Sequence, residues 1–468
     1  MASSSFKSLL SFALLAGAVQ AGTYSGQFTA PRALNATTVT RRAHDGLINM
    51  GYFANWASNA PLNFKASDIK IETLTHILYA FADSDKVSGA MKLSDAATDT
   101  GGVDSGNLGG QLGAIFELKQ KQRNLKVLMS VGGWTYSQDG HFDFVTNAES
   151  RAKFVVDSIK FIEDYGLDGI DIDYEALTDA QADGFISLMK ELREALDKHA
   201  ADKGDKTPYL LTSAVGYAPG AYVAKAGQYM DYYNLMDYDF SGGWLQTVEH
   251  QANLFPSGTN GGVSIDSGVA QFLNYVPAEK LIIGQPLYAR CFAGTDGMGK
   301  AFSGLGGTEG IRAYKDLPAS GDGVSEDTKI GASYHYDSAT KELCSYDTPA
   351  ITKVKSQYIQ DKGLAGAMWW DLSTDKSGSE SLVGLTADLF KKLDQTPNHI
   401  NFPKSAYDNV RAAGAGEQTP GGGGEAPAPE PPFEPVEPEP PFEPVEPEPT
   451  PTPAPVPPKT CSAKKRSA

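Results

Sequence analysis

Residues 166–177 read GLDGIDIDYEAL and place Asp171, Asp173 and Glu175 at alternate positions between Ile170, Ile172 and Tyr174. Alternate residues of a β-strand share a face, so the three acids point one way and the isoleucines and tyrosine the other. Neighbouring acids on such a face lie about 7 Å apart, where like charges at an effective dielectric of about 20 repel by roughly 2 kcal/mol. That exceeds one pK unit, so one of the three is expected to keep a proton at neutral pH. A protonated carboxyl beside ionised ones is what general acid catalysis requires. The apolar opposite face marks a buried strand rather than a solvated edge.

Seven other stretches read as strands: 47–56, 74–82, 125–133, 209–216, 230–239, 280–290 and 363–372, which with 167–175 make eight. Most are near-continuous apolar runs, as in parallel strands covered by helices. Between them lie amphipathic segments such as ESRAKFVVDSIKFIEDYG, with Phe154, Val155, Ile159 and Ile162 at helical spacing. Eight such units in order predict an α/β fold, a (β/α)8 TIM barrel, whose active site lies at the C-terminal ends of the strands. The three acids fall at the end of strand four. Between strands 7 and 8, residues 291–350 are too many for a structureless loop and predict a small α+β insertion that walls one side of a cleft.

The chain has 468 residues, a formal net charge of -17 and a pI near 4.9, which argues against nucleic acid or an anionic membrane as a partner. Residues 1–21, with Lys7, an apolar run from Leu9 to Val19 and Ala21 at the cleavage point, predict a secretory signal peptide. Arg41 and Arg42 then suggest a pro-segment over 22–42, which would carry away the glycosylation sequon at Asn35. The catalytic barrel is expected over 43–412. With only three cysteines, disulfides are not the scaffold: Cys291 and Cys344 could pair, but buried free thiols are the expectation, and Cys461 lies in the tail. From 413 to 468 the composition turns to Gly, Pro and Glu, with PFEPVEPEP at 432–440 and again at 441–449. Such a segment cannot build a core and reads as a disordered, acidic polyproline II stalk.

All five tryptophans sit at or just past strand ends: Trp56, Trp134, Trp244, Trp369 and Trp370. Flat indoles around a barrel mouth suit stacking on the apolar faces of sugar rings, a neutral ligand in keeping with the acidic charge. Trp369 and Trp370 must point oppositely, so only one can enter the cleft. The same rim collects Met236, Tyr238 and Asp239 from MDYD, Tyr288 and Arg290 from YAR, and Ser130 beside Gly132 and Gly133, whose missing side chains would leave room for a ligand.

These residues resemble the family 18 glycoside hydrolases, especially secreted fungal-type chitinases. The carrying motif is D-x-x-D-x-D-x-E, here Asp168, Asp171, Asp173 and Glu175; the S-x-G-G turn, MDYD, PLYAR and AMWWDLS agree in order over about residues 46–412. The resemblance implies hydrolysis of β-1,4-linked N-acetylglucosamine polymers with retention, the substrate's 2-acetamido group serving as nucleophile. In that scheme Glu175 is the acid, Asp173 orients the acetamido group, and Asp171, supported by Tyr52 and Ser130, shares a proton with Asp173. Tyr238 holds the acetamido oxygen, Trp370 floors the sugar, and Trp134, Met236, Asp239, Tyr288 and Arg290 line the pocket. Asp168 is read as structural. Alternatives are an endoglycosidase acting on N-glycan cores and a chitin-binding lectin, though a lectin typically lacks the acid. Two positions depart from the pattern: Ala176 and Leu177 stand where Tyr-Pro is common, and Asp237 replaces a small residue and is expected in the pocket wall. A secreted monomer acting on chitin or its oligomers is expected, with no metal, cofactor, nucleic acid or membrane. Deleting residues 413–468 is expected to leave hydrolysis of soluble oligomers within about twofold of the parent rate, measured by product chromatography, because a polyproline stalk has no means of building a pocket.

Overall fold

The computed structural model describes residues 45–102, 106–220, 222–257 and 261–414. The signal peptide, the pro-segment, Asn35, Cys461 and all but the first two residues of the expected tail lie outside the described residues.

Seven parallel strands come first: Ile48–Ala54 (β1), His76–Ser84 (β2), Lys126–Gly132 (β3), Gly169–Asp173 (β4), Leu210–Val215 (β5), Tyr232–Leu235 (β6) and Leu281–Pro286 (β7). Six short strands of a second sheet follow: Tyr288–Ala293 (β8), Gly304–Leu305 (β9), Ile311–Ala313 (β10), Val324–Asp327 (β11), Ala332–Asp337 (β12) and Glu342–Ser345 (β13). Gly366–Trp370 (β14) returns to the first sheet and pairs with both β7 and β1, and β1 also pairs with β2, so eight parallel strands close on themselves. This is the (β/α)8 barrel the sequence predicts. The observed strands are shorter than the apolar runs, since residues such as Met236 to Asp239 leave the ladder at the mouth.

Helices cover the barrel: Gly110–Lys121 (α1), Trp134–Gln138 (α2), Ala148–Tyr165 (α3), Ala182–Lys203 (α4), Tyr222–Ala226 (α5), Ile265–Phe272 (α6), Pro349–Lys362 (α7) and Leu382–Phe390 (α8). The chemistry of α3 shows how the sequence sets their limits. The Asn147 side chain accepts the N–H groups of Glu149 and Ser150 at its start, and Gly166, at φ 68°, ends it in the left-handed conformation. The apolar interior divides in two. Ile170, Ile172 and Tyr174 pack outward with the helices, while Ile48, Met50, Leu78, Leu128, Ile282 and Met368 fill the barrel axis. The acids of β4 therefore point into the barrel.

Asp168, at the other end of β4, is buried and anchors the bottom of the molecule. Its carboxylate meets the Lys119 ammonium of α1 at 2.7 Å and accepts the N–H groups of Val127 and His399. Breaking such a buried pair by removing one partner costs about 3–5 kcal/mol. Asp168 is thus a structural clamp between three segments of the chain.

Two expectations are corrected. Cys291 and Cys344 are not free thiols: they lie directly opposite on the antiparallel neighbours β8 and β13 and form a disulfide. Strand register, invisible in the spacing of the two cysteines, decides the pairing. Asp237 does not line the pocket. It follows Leu235 and Met236, so alternation turns it outward, where it is fully buried and neither carboxylate oxygen has a hydrogen-bond partner among the described residues.

Burial holds the Asp237 carboxyl well above the usual carboxylate range, with Lys355 of α7 opposing. A raised carboxyl binds its proton more tightly in the folded chain, so its stabilising contribution is present at acid pH and is lost as pH rises from about 4 through the folded value. Asp237→Asn should therefore raise the thermal unfolding midpoint at pH 7 and leave it near the parent value below pH 4. Each kcal/mol regained corresponds to roughly 2 °C, read by circular dichroism.

Candidate active site

The acids of β4 end in three different environments. Asp171 is fully buried and accepts four hydrogen bonds: from Ser130 (2.7 Å, β3) and Tyr52 (3.0 Å, β1) on Oδ2, and from Thr212 (2.6 Å, β5) and Asn234 (3.1 Å, β6) on Oδ1. Burial raises its pKa and the hydroxyl donors oppose it. Asp173 is also buried, but its Oδ1 has no partner among the described residues. Burial first, then the charges of Glu175 and Asp171, hold its carboxyl well above the usual range. Glu175 lies just past the strand and is partly open to the cleft; burial, then the Asp239 carboxylate, pushes it up to about 8. From inside outward the row runs from a carboxylate held by four donors to a carboxyl that keeps its proton at neutral pH.

Around this row stand side chains from neighbouring strands. Asn234, Met236 and Tyr238 follow one another on the inward face of the β6 segment, and the Tyr238 ring meets Tyr288 edge-on at 6.2 Å. Burial first, then the neighbouring Asp173 and Glu175, hold the Tyr238 hydroxyl well above its usual range. Asp239 takes a left-handed φ of 60° and receives the Tyr288 hydroxyl at 2.6 Å and the Arg290 guanidinium as a fork at 2.7 and 2.5 Å. The Arg290 guanidinium also lies 5.2 Å from the ring of Trp244. Trp370 enters the barrel mouth against Tyr52, Trp56 and Phe81 at 5.2, 6.3 and 5.8 Å. Trp369 points the other way and donates its indole N–H to Asn49 in the packed exterior. Trp134 opens α2 and is half-buried.

The two glycines of the S-x-G-G turn play another part than leaving room for a ligand. A Cβ on Gly132 would meet the Asp173 carbonyl at 2.2 Å, and one on Gly133 the Phe81 ring at 2.7 Å, both at positive φ. They let the β3 turn press against the end of the acid strand. Sequence reasoning missed Thr212 and Asn234 as partners of Asp171, and Phe81 as a neighbour of Trp370. For Asn234 the signal was present, since it shares the parity of Met236 and Tyr238 on one strand. Ala176 and Leu177 pack on the outer core, leaving the lip after Glu175 without an aromatic.

The row can deliver a proton from Glu175 and offers the Oδ1 of Asp173, unpartnered among the described residues, as a hydrogen-bond acceptor, beside the aromatic wall of Trp370. Comparison with known proteins identifies the family. The family described as glycosyl hydrolases family 18 matches residues 48–375. Endochitinase 1 of Metarhizium robertsii is 35% identical over 394 residues, covering 80% of this chain and 92% of that protein. Chitinase 1 of Aphanocladium album is 35% identical over 386 residues, covering 78% and 90%. Among solved structures, a mutant of catalytic domain 2 of the Ostrinia furnacalis Group II chitinase, in complex with penta-N-acetylchitooctaose, superposes with a TM-score of 0.64. It is 25% identical and covers 75% of this chain and 98% of that one. With the matched residues running from β1 to just past β14, the chain belongs to the glycosyl hydrolases family 18.

Proposed function

We propose that the protein is a secreted chitinase that hydrolyses β-1,4 linkages of N-acetylglucosamine polymers with retention of configuration. Glu175 gives its proton to the glycosidic oxygen as the bond from that oxygen to C1 breaks. The carbonyl oxygen of the substrate's 2-acetamido group bonds to C1 in its place, forming an oxazolinium ion, so the protein supplies no nucleophile. Asp173 accepts a hydrogen bond from the acetamido N–H and offsets the positive charge, and Tyr238 steadies the acetamido oxygen. The Glu175 carboxylate then takes a proton from water, whose oxygen attacks C1 and reopens the ring. Asp171, held by four donors, shares a proton with Asp173. Trp370 floors the sugar, with Trp134, Met236, Asp239, Tyr288 and Arg290 around it.

The observation that carries this reading is the pairing of a Glu175 carboxyl raised to about 8 with a neighbouring Asp173 whose Oδ1 has no partner among the described residues. A proton donor and an open acceptor at the end of one strand are what a substrate with its own nucleophile needs. The relatives are called chitinases, which supports the substrate class, and the leader-like residues 1–21 support secretion.

The test is Glu175→Gln, which removes the proton and keeps the shape. Its kcat on N-acetylchitotetraose should fall by about 10²–10⁴-fold while calorimetry still finds the oligomer bound. In the parent, kcat/KM should decline as pH rises through about 8, the limb belonging to the coupled Asp173 and Glu175 pair. A variant as fast as its parent overturns the mechanism. Glycan release from a high-mannose glycoprotein without cleavage of chitin oligomers overturns the substrate.

A further inference from the structure

Glu175 lies two residues beyond Asp173, the last position of β4 held by the sheet on either side. No strand neighbour among the described residues fixes its backbone. Its N–H instead donates to the hydroxyl of Ser137 at 3.0 Å, and that hydroxyl donates in turn to the carbonyl of Asp173 at 3.3 Å. The same carbonyl accepts the N–H of Gly133 at 2.9 Å, while the N–H of Ser137 donates to the Gly133 carbonyl at 3.0 Å. Ser137 is 3% exposed and sits in the five-residue helix α2, which begins directly after Gly133. A serine hydroxyl has one proton to give and lone pairs to receive, and here both capacities go to the backbone on either side of Tyr174.

We propose that Ser137 is a positioning residue for the reaction: by joining the main chain at Asp173 to the main chain at Glu175, it fixes the angle at which the acid reaches the glycosidic oxygen. This rests on the reading of Glu175 as the acid. The Ser137 hydroxyl touches no reacting atom in that scheme. Its effect passes through the turn, where a displacement of an ångström at the carboxyl is enough to cost about a hundredfold in rate. A loosened turn also admits water to Glu175 and weakens the burial that raises its carboxyl.

The test compares Ser137→Ala, Ser137→Thr and Glu175→Gln with the parent on N-acetylchitotetraose, with thermal unfolding of each followed by circular dichroism. Ser137→Ala should lower kcat by roughly tenfold to a hundredfold with KM kept within about threefold, the pattern of an interaction expressed in the transition state. The basic limb of its kcat/KM profile should move to lower pH. Ser137→Thr, which keeps the hydroxyl, should stay within about threefold of the parent. The inference is overturned if Ser137→Ala keeps the parental kcat and limb, if its loss tracks the unfolded fraction or appears in KM alone, or if folded Ser137→Thr drops to the level of the alanine variant. Parental activity in Glu175→Gln would instead remove the reading beneath it; an inactive Glu175→Gln beside a fully active Ser137→Ala would remove the Ser137 assignment alone.

Discussion

Everything at the mouth of this barrel follows from three acids set on alternate residues of one short strand and the turn that continues it. Period-two geometry sends Asp171 and Asp173 inward, the turn after the strand sets Glu175 beside them, and the low-dielectric interior makes each charge costly unless a donor meets it. Donors from four strands converge on Asp171 and leave Asp173 without comparable support. Uneven solvation therefore sorts three similar side chains into different protonation behaviours. The glycines of the β3 turn, the fork of Arg290 on Asp239 and the aromatic wall of Trp370 are arranged around that gradient.

Much of this was legible in the chain. Eight apolar runs separated by amphipathic segments specify the barrel because a strand covered on both sides must be apolar throughout. The opposed directions of Trp369 and Trp370 follow from adjacency on a strand, and the structure places one in the packed exterior and the other at the mouth. Asp168 was readable as structural only through the family resemblance, and the structure gives the reason in its buried contact with Lys119. Met236, Tyr238, Asp239, Tyr288 and Arg290 were found because they cluster at strand ends, where side chains meet a ligand.

What escaped the sequence depends on register and distance between segments far apart in the chain. The Cys291–Cys344 bond needs β8 and β13 to be neighbours with those two residues opposite, and nothing in a separation of 53 residues says so. Gly132 and Gly133 looked like space for a ligand because glycine shows only that something comes close, and the backbone of Asp173 and the Phe81 ring are what come close. Asp237 was connected with the pocket wall because it replaces the small residue common in the family motif. The same alternation that exposed the acid row turns it outward.

The clamp at Asp168 ties the acid strand to a segment 231 residues further along the chain. Its carboxylate receives the N–H of His399, and the barrel closes only when β14, at residues 366–370, reaches β1, at 48–54. A chain emerging from a ribosome must therefore expose the apolar edge of β1 until nearly all of the barrel has been made. Contacts so distant along the chain are slow to form, so the sheet stays open through most of synthesis.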